Sequence, residues 1–114
     1  MSAITTHVLD TSRGRPAENV GVVLEIQSAT GDWEAIGEGT TDADGRLKDL
    51  LPLEHALRSG VYRLTFDTRS YYNAQDSRSF YPAVSIIFEV LDASQHYHVP
   101  LLLSPYGYTT YRGS

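Results

Sequence analysis

His96-Tyr-His-Val-Pro-Leu-Leu-Leu-Ser-Pro-Tyr-Gly-Tyr-Thr-Thr-Tyr-Arg-Gly-Ser114 is the stretch on which the reading of this 114-residue chain turns. On the two-residue period of a β-strand, Tyr97, Val99, Leu101 and Leu103 share one face, and His96, His98, Pro100, Leu102 and Ser104 share the other. The odd face reads as core. The even face sets two imidazoles beside apolar groups, the pattern of a surface covered by a ligand or another subunit. Pro100 has no N–H for a ladder, which predicts a sheet edge or a bulge there. Ser104-Pro-Tyr-Gly107 reads as a tight turn, and Tyr108 to Arg112 as a short strand pairing back. Chain ends fray unless something ties them down. An end carrying two histidines, four tyrosines and an arginine is predicted to dock.

Outward from that stretch, strand signals recur. Ile4 to Asp10 sets Ile4, Thr6 and Val8 against Thr5, His7 and Leu9, so His7 lies on the face away from the core. Val20 to Ser28, Trp33 to Thr41, Val61 to Asp67 and the run after Pro82 are further strands. Asp42-Ala-Asp-Gly-Arg46 is read as an Asp-Gly turn at a hairpin end, with Arg46 just past it. Its spaced aspartates resemble the start of a calcium loop, but Leu53 stands at the twelfth position, where an acidic ligand is needed. Leu53 to Arg58 is read as a short helical turn, and Thr68 to Phe80 as the place for a short helix. Seven or eight short strands with one short helix predict an all-β, two-sheet β-sandwich, one domain over residues 1–114. Val23, Ile87 and Leu102 fall on outer positions, where a monomer would leave them wet, so an oligomer is expected.

Composition narrows the partners. A chain of this length buries roughly two thirds of its unfolded surface and needs no staples. There is no cysteine, hence no disulfide framework and no thiolate chemistry. No signal peptide or membrane-length apolar run is visible, so a cytoplasmic protein without membrane association is expected. The formal charge is −5 and the nine basic residues are scattered, which argues against nucleic acid. A small molecule is the expected ligand.

Taken singly, His7, Arg46, His98, Tyr111, Arg112 and Ser114 each have a plain alternative. A strand histidine is commonly a hydrogen-bonded structural residue, and a lone arginine commonly lies on a solvated face. His96-x-His98, with His7 as a third ligand, also fits a zinc reading. No cysteine or nearby carboxylate supports it, and imidazole can activate water without a metal. No metal and no cofactor is expected, and His96 is read as structural or as a support behind the site residues.

The C-terminal stretch as a whole resembles the closing motif of the 5-hydroxyisourate hydrolases, the transthyretin-related enzymes of urate breakdown. Thr109 departs from it, where family members more often carry Ser, and the hydroxyl is kept. Thr5-Thr-His-Val-Leu-Asp-Thr11 with Gly14-Arg-Pro-Ala17, and Thr41-Asp-Ala-Asp-Gly-Arg46, match the same family, so the resemblance spans the chain. It implies a transthyretin-like sandwich and a homotetramer, a dimer of dimers with sites at the subunit interface. It also implies hydrolysis of 5-hydroxyisourate to 2-oxo-4-hydroxy-4-carboxy-5-ureidoimidazoline, without a metal. The matching segments bring forward His7, Arg46, His98 and the tail Tyr111, Arg112, Gly113 and Ser114. In that reaction His7 and His98 would orient and deprotonate water, and Arg46 and Arg112 would hold the ring and its developing charge. Tyr111 and Gly113 would line the substrate, and Ser114 would be a polar ligand. The alternative is a transthyretin-like carrier without catalysis. The carrier branch lacks the Tyr-Arg-Gly-Ser ending and the two histidines.

Overall fold

Alternating apolar residues set the architecture. The computed structural model describes residues 2–114, and its elements run β1 (Ile4–Asp10), β2 (Arg15–Pro16), β3 (Gly21–Gln27), β4 (Trp33–Thr40), β5 (Arg46–Leu47), β6 (Gly60–Phe66), α1 (Thr68–Asn73), β7 (Val84–Val90), β8 (Tyr97–Ser104) and β9 (Gly107–Thr110). One sheet has the order β2-β1-β8-β9, with β5 also on β1; the other has the order β4-β3-β6-β7. β8 runs parallel to β1 along its whole length, so β2 and β5 share the opposite edge, each pairing antiparallel with one half of it. The residues that the two-residue period turns inward meet between the sheets. Ile4, Val8, Val22, Leu24, Tyr62, Leu64, Phe66 and Leu101 are fully buried there. Each such burial contributes about 1.5–3 kcal/mol. The facing sheets therefore carry the stability, since a helix as short as α1 is marginal by itself.

α1 is held by its ends and its tyrosines. Asp67 caps it, accepting the Ser70 N–H at 3.1 Å, and Tyr71 and Tyr72 face inward. The Tyr71 hydroxyl donates to the buried Asp10 carboxylate at 2.7 Å. Burial alone would raise the Asp10 pKa, but hydrogen bonds from Ser12, Tyr71 and Arg13 outweigh it and hold the group below its ordinary value. This fastens α1 to the end of β1.

The sandwich and its short helix are as expected; three local readings are corrected, and two short strands are added. Leu53 to Arg58 is not helical; a single turn closes where the His55 N–H donates to the Pro52 carbonyl at 2.9 Å. The Asp42 to Arg46 turn does not join a hairpin. β4 belongs to one sheet and β5 to the other, so the turn carries the chain across the sandwich. β2 and β5, two residues each, are too short for any periodicity to reveal. β8 is not an edge strand, because β1 and β9 flank it.

Pro100 explains where β9 stops. The His98 carbonyl accepts from Gly113 and the Leu103 carbonyl from Thr11, so even residues of β8 turn their backbone groups toward β9 and odd ones toward β1. The missing N–H of Pro100 therefore falls on the β9 side. The regular ladder there ends at Leu101↔Thr110, and the pairing resumes in the same register as the isolated bridge His98↔Gly113. Between them, the Thr110 hydroxyl donates to the Pro100 carbonyl at 2.7 Å.

Gly45 is the residue on which the crossing turn depends. Its φ is +75°, and an added Cβ would stand 2.3 Å from the Val8 carbonyl oxygen. That same turn receives the Val8 N–H on the Gly45 carbonyl at 2.7 Å. Left-handed strain costs about 1–3 kcal/mol before any clash is counted. Gly45→Ala is expected to lower stability by at least about 2 kcal/mol, a melting temperature lower by about 8 °C or more. Circular-dichroism melts check this, and an unchanged midpoint refutes it.

Candidate active site

Register assembles the site from three distant segments. The β1–β8 pairing sets Thr5 opposite His98 and His7 opposite Pro100, and the β1–β5 pairing sets His7 opposite Arg46. Because Ile4, Thr6 and Val8 turn inward, Thr5 and His7 face outward with His98 and Arg46. There Thr5, Thr6, Arg46, Lys48, His96, His98 and Ser114 line a cavity of about 220 Å³.

Hydrogen bonds fix which ring nitrogens are available. Thr5 Oγ1 lies 2.8 Å from His98 Nδ1 and 3.0 Å from His96 Nε2. His98 is thus anchored through Nδ1, which leaves Nε2 for water or substrate. The His96 and His98 rings lie 6.5 Å apart and nearly parallel, at 18°. His7 Nε2 donates to the Asp44 carbonyl at 2.8 Å, so a neutral His7 keeps its lone pair on Nδ1. Arg46 is exposed, and its turn is tied down by the backbone, whose N–H donates to the Asp42 carboxylate at 3.0 Å. Its guanidinium makes no ion pair among the described residues. No set of three or more His, Cys, Asp or Glu side chains gathers at metal-ligating spacing among them.

Burial pushes the His98 imidazole below its ordinary pKa, and the nearby charges of Arg46, His7 and His96 push it the same way. The ring is therefore held neutral at neutral pH. A neutral imidazole anchored at one nitrogen, beside an unpaired guanidinium, can accept a proton while the arginine holds negative charge.

The tail divides. Gly113 donates its N–H to the His98 carbonyl at 2.8 Å, which seats Ser114 on the rim of the cavity. An added Cβ at Gly113 would meet His98 Cδ2 at 2.6 Å, so only glycine lets the backbone lie against this ring. Tyr111 and Arg112 do not join His98 within one chain. They line a separate cleft of about 260 Å³ with Ile86, Ile87, Phe88, Glu89, Tyr97, Val99 and Thr110. The Arg112 guanidinium lies 4.5 Å over the Tyr97 ring, and Nη2 donates to Gln95 Oε1 at 2.8 Å.

Three residues of the cavity were not among the site candidates read from the sequence: Thr5, Thr6 and Lys48. The two-residue period did place Thr5 on the face of His7. What it lacked was the strand pairing that turns Thr5 toward His98.

Comparison with known proteins places the chain. The HIUase/Transthyretin family model matches residues 4–113. A probable 5-hydroxyisourate hydrolase of Caenorhabditis elegans is 48% identical, over 99% of this chain and 82% of its own. Sea bream transthyretin, solved in complex with thyroxine, superposes with a TM-score of 0.91 at 34% identity, covering 98% of this chain and 95% of that one. The 5-hydroxyisourate hydrolase of Klebsiella pneumoniae superposes with a TM-score of 0.84 at 33% identity, covering 97% and 98%. The sandwich is thus transthyretin-like, and the chain belongs to the HIUase/Transthyretin family.

Proposed function

We propose that this protein hydrolyses 5-hydroxyisourate, opening its six-membered ring. The observation that carries the reading is His98, anchored by Thr5 through Nδ1 and held neutral in a cavity it shares with Arg46. The reaction is amide hydrolysis: water loses a proton, the carbonyl oxygen gains charge, and the ring nitrogen leaves. His98 Nε2 takes the proton and later returns it to the leaving nitrogen. Arg46 stabilises the oxygen and holds an electron-rich ring through its planar fork. Ser114 supplies a polar contact on the rim. His7, beside Arg46, adds to the field that keeps His98 neutral and orients the water.

A carrier built on the same sandwich needs none of this. The sea bream and Klebsiella structures both superpose closely, so fold alone does not separate a carrier from an enzyme. The anchored imidazole beside a free guanidinium favours catalysis.

The protein acts as a homotetramer, a dimer of dimers with sites at the subunit interface. Supporting this, Ile87 and Tyr111 are 61% and 56% exposed in the single chain, and Val23 and Leu102 are half-buried on outer positions. β7 and β9 are sheet edges with unpaired backbone, which soluble proteins normally cover. Tyr111 and Arg112 sit in the cleft between those two edges, where a neighbouring subunit can bring them to another chain's cavity.

Three outcomes test the reading. The protein should accelerate the ultraviolet decay of freshly generated 5-hydroxyisourate, and His98→Asn should cut kcat by on the order of a hundredfold or more. Arg46→Lys, which keeps the charge and loses the fork, should lower kcat/KM about tenfold or more. A parent that leaves the spontaneous decay unchanged removes the enzyme reading.

The pH profile follows from the depressed His98 pKa. The base is competent when neutral, so kcat/KM should be flat above the ordinary imidazole value of 6.5 and fall only on acidification below it. The same shift means that the unfolded chain protonates His98 at a higher pH than the folded one. Stability should therefore decline as pH falls through 6.5 toward the folded value, and His98→Asn should flatten that part of the melting-temperature profile. An acid limb centred above 6.5 contradicts the assignment.

Light scattering should give the mass of four chains. Ile87→Glu, placing a charge on the β7 edge, should yield smaller species with much lower activity; a parent that runs as a monomer refutes the tetramer.

A further inference from the structure

Thr5 is 3% exposed, yet its one hydroxyl is shared by two imidazoles, at 2.8 Å from His98 Nδ1 and 3.0 Å from His96 Nε2. A hydroxyl carries a single proton, so it donates to one ring and accepts from the other. If His98 Nε2 is the lone pair that meets water, then His98 Nδ1 carries the hydrogen. The chain of donors is then fixed: His98 Nδ1–H to Thr5 Oγ1, and Thr5 Oγ1–H to His96 Nε2. Its two ends differ in surroundings. His98 is half-buried, whereas His96 is exposed.

We propose that Thr5 is a proton relay that moves the charge gained by His98 out to His96 and back during each turnover. This deepens the hydrolase reading and rests on it. When water attacks, its proton binds His98 Nε2. The Nδ1–H bond of His98 then breaks toward Thr5 Oγ1 while the Thr5 O–H bond breaks toward His96 Nε2. His98 is neutral again, now with hydrogen on Nε2, and His96 is the imidazolium. As the ring nitrogen leaves, it takes the Nε2 hydrogen of His98, and the two relay transfers run backward. One proton leaves water and one reaches the leaving nitrogen, so all three side chains end as they began. Thr5 and His96 are positioning residues here, since neither needs to touch the substrate.

The charges around His98 favour this direction. Arg46 and Lys48 from the β5 segment, His7 from β1 and His96 itself surround it, together with Ser114 from the tail, and no acidic side chain lines the cavity. Burial, together with Arg46, His7 and His96, disfavours an imidazolium at His98. Moving that charge to an exposed ring relieves the penalty while the intermediate exists.

The test compares Thr5→Val, Thr5→Ser and His96→Gln with the parent, using 5-hydroxyisourate decay in mixtures of light and heavy water. Gln can keep a hydrogen bond to Thr5 but cannot carry the proton. Thr5→Val and His96→Gln should lower kcat by about tenfold or more with KM within about twofold. Thr5→Ser should recover most of the loss. The parent and Thr5→Ser should give bowed plots of rate against deuterium fraction, because several protons move together, and the other two variants should give straight ones. Equal losses in Thr5→Val and Thr5→Ser, a straight plot for the parent, or a kcat within twofold of the parent in His96→Gln overturns the relay. Should Thr5→Val not fold, the exposed His96→Gln carries the test. An inactive parent removes the hydrolase reading and the relay with it, whereas an active parent with an insensitive His96→Gln removes the relay alone.

Discussion

The parallel pairing of β1 with β8 is the constraint from which the site geometry follows. It brings residues 93 positions apart, Thr5 and His98, into side-chain contact, and through β5 it adds Arg46 beside His7. Parallel neighbours cannot be joined by a tight turn, and here nearly the whole chain forms the connection. The site therefore carries the loop-closure cost of joining strands from opposite ends of the chain. In return it rests on rigid strand backbone, with Thr6 Oγ1 donating to the Val99 carbonyl at 2.6 Å inside the same pairing. A base held on strands keeps its ring orientation better than one on a loop.

Much of the fold was legible because burial along a strand is a local property. Val22, Leu24 and Ile26 alternate with half-buried neighbours as their period requires, β6 does the same, and β7 alternates with exposed ones. Which strand lies beside which is not local. The Asp42 to Arg46 turn has the same chemistry whether its next strand stays in the sheet or crosses to the other, so it reads as a hairpin in sequence and is a crossing in the molecule. Pro100 misled for a related reason. Its missing N–H affects one side of the strand only, so β8 can lie between two neighbours while its ladder fails on the β9 side. The candidate site was legible in part through the resemblance of whole segments. Thr5 was not, because a buried strand threonine bonded to two histidines looks like any other until the register is known.

Charge sets the cavity apart from its surroundings. The chain carries a formal −5, yet Arg46, Lys48, His96 and His98 gather around one cavity without an acidic side chain on its walls. Such a concentration attracts an anionic or electron-rich ligand into a protein that is otherwise repulsive to one. It also acts on His98 in the same direction as burial: desolvation is the larger push toward the neutral ring, and Arg46, His7 and His96 add to it.

Pro100 and Gly113 act as a pair at the other wall of the cavity. Proline withholds the hydrogen bond that would extend β9, so Tyr111 and Arg112 leave the ladder, and Arg112 can settle over Tyr97. Glycine then brings the backbone back in unbroken register, donating to the His98 carbonyl where any side chain would strike the His98 ring. Had the ladder run on without a break, the tail would have been ordinary edge strand with its side chains set by the two-residue period. The gap of two residues instead frees Tyr111 and Arg112 to face the cleft beside β7, while Ser114 stays at the rim of the His98 cavity. One tail thus reaches two surfaces, the division on which the proposed inter-subunit site rests.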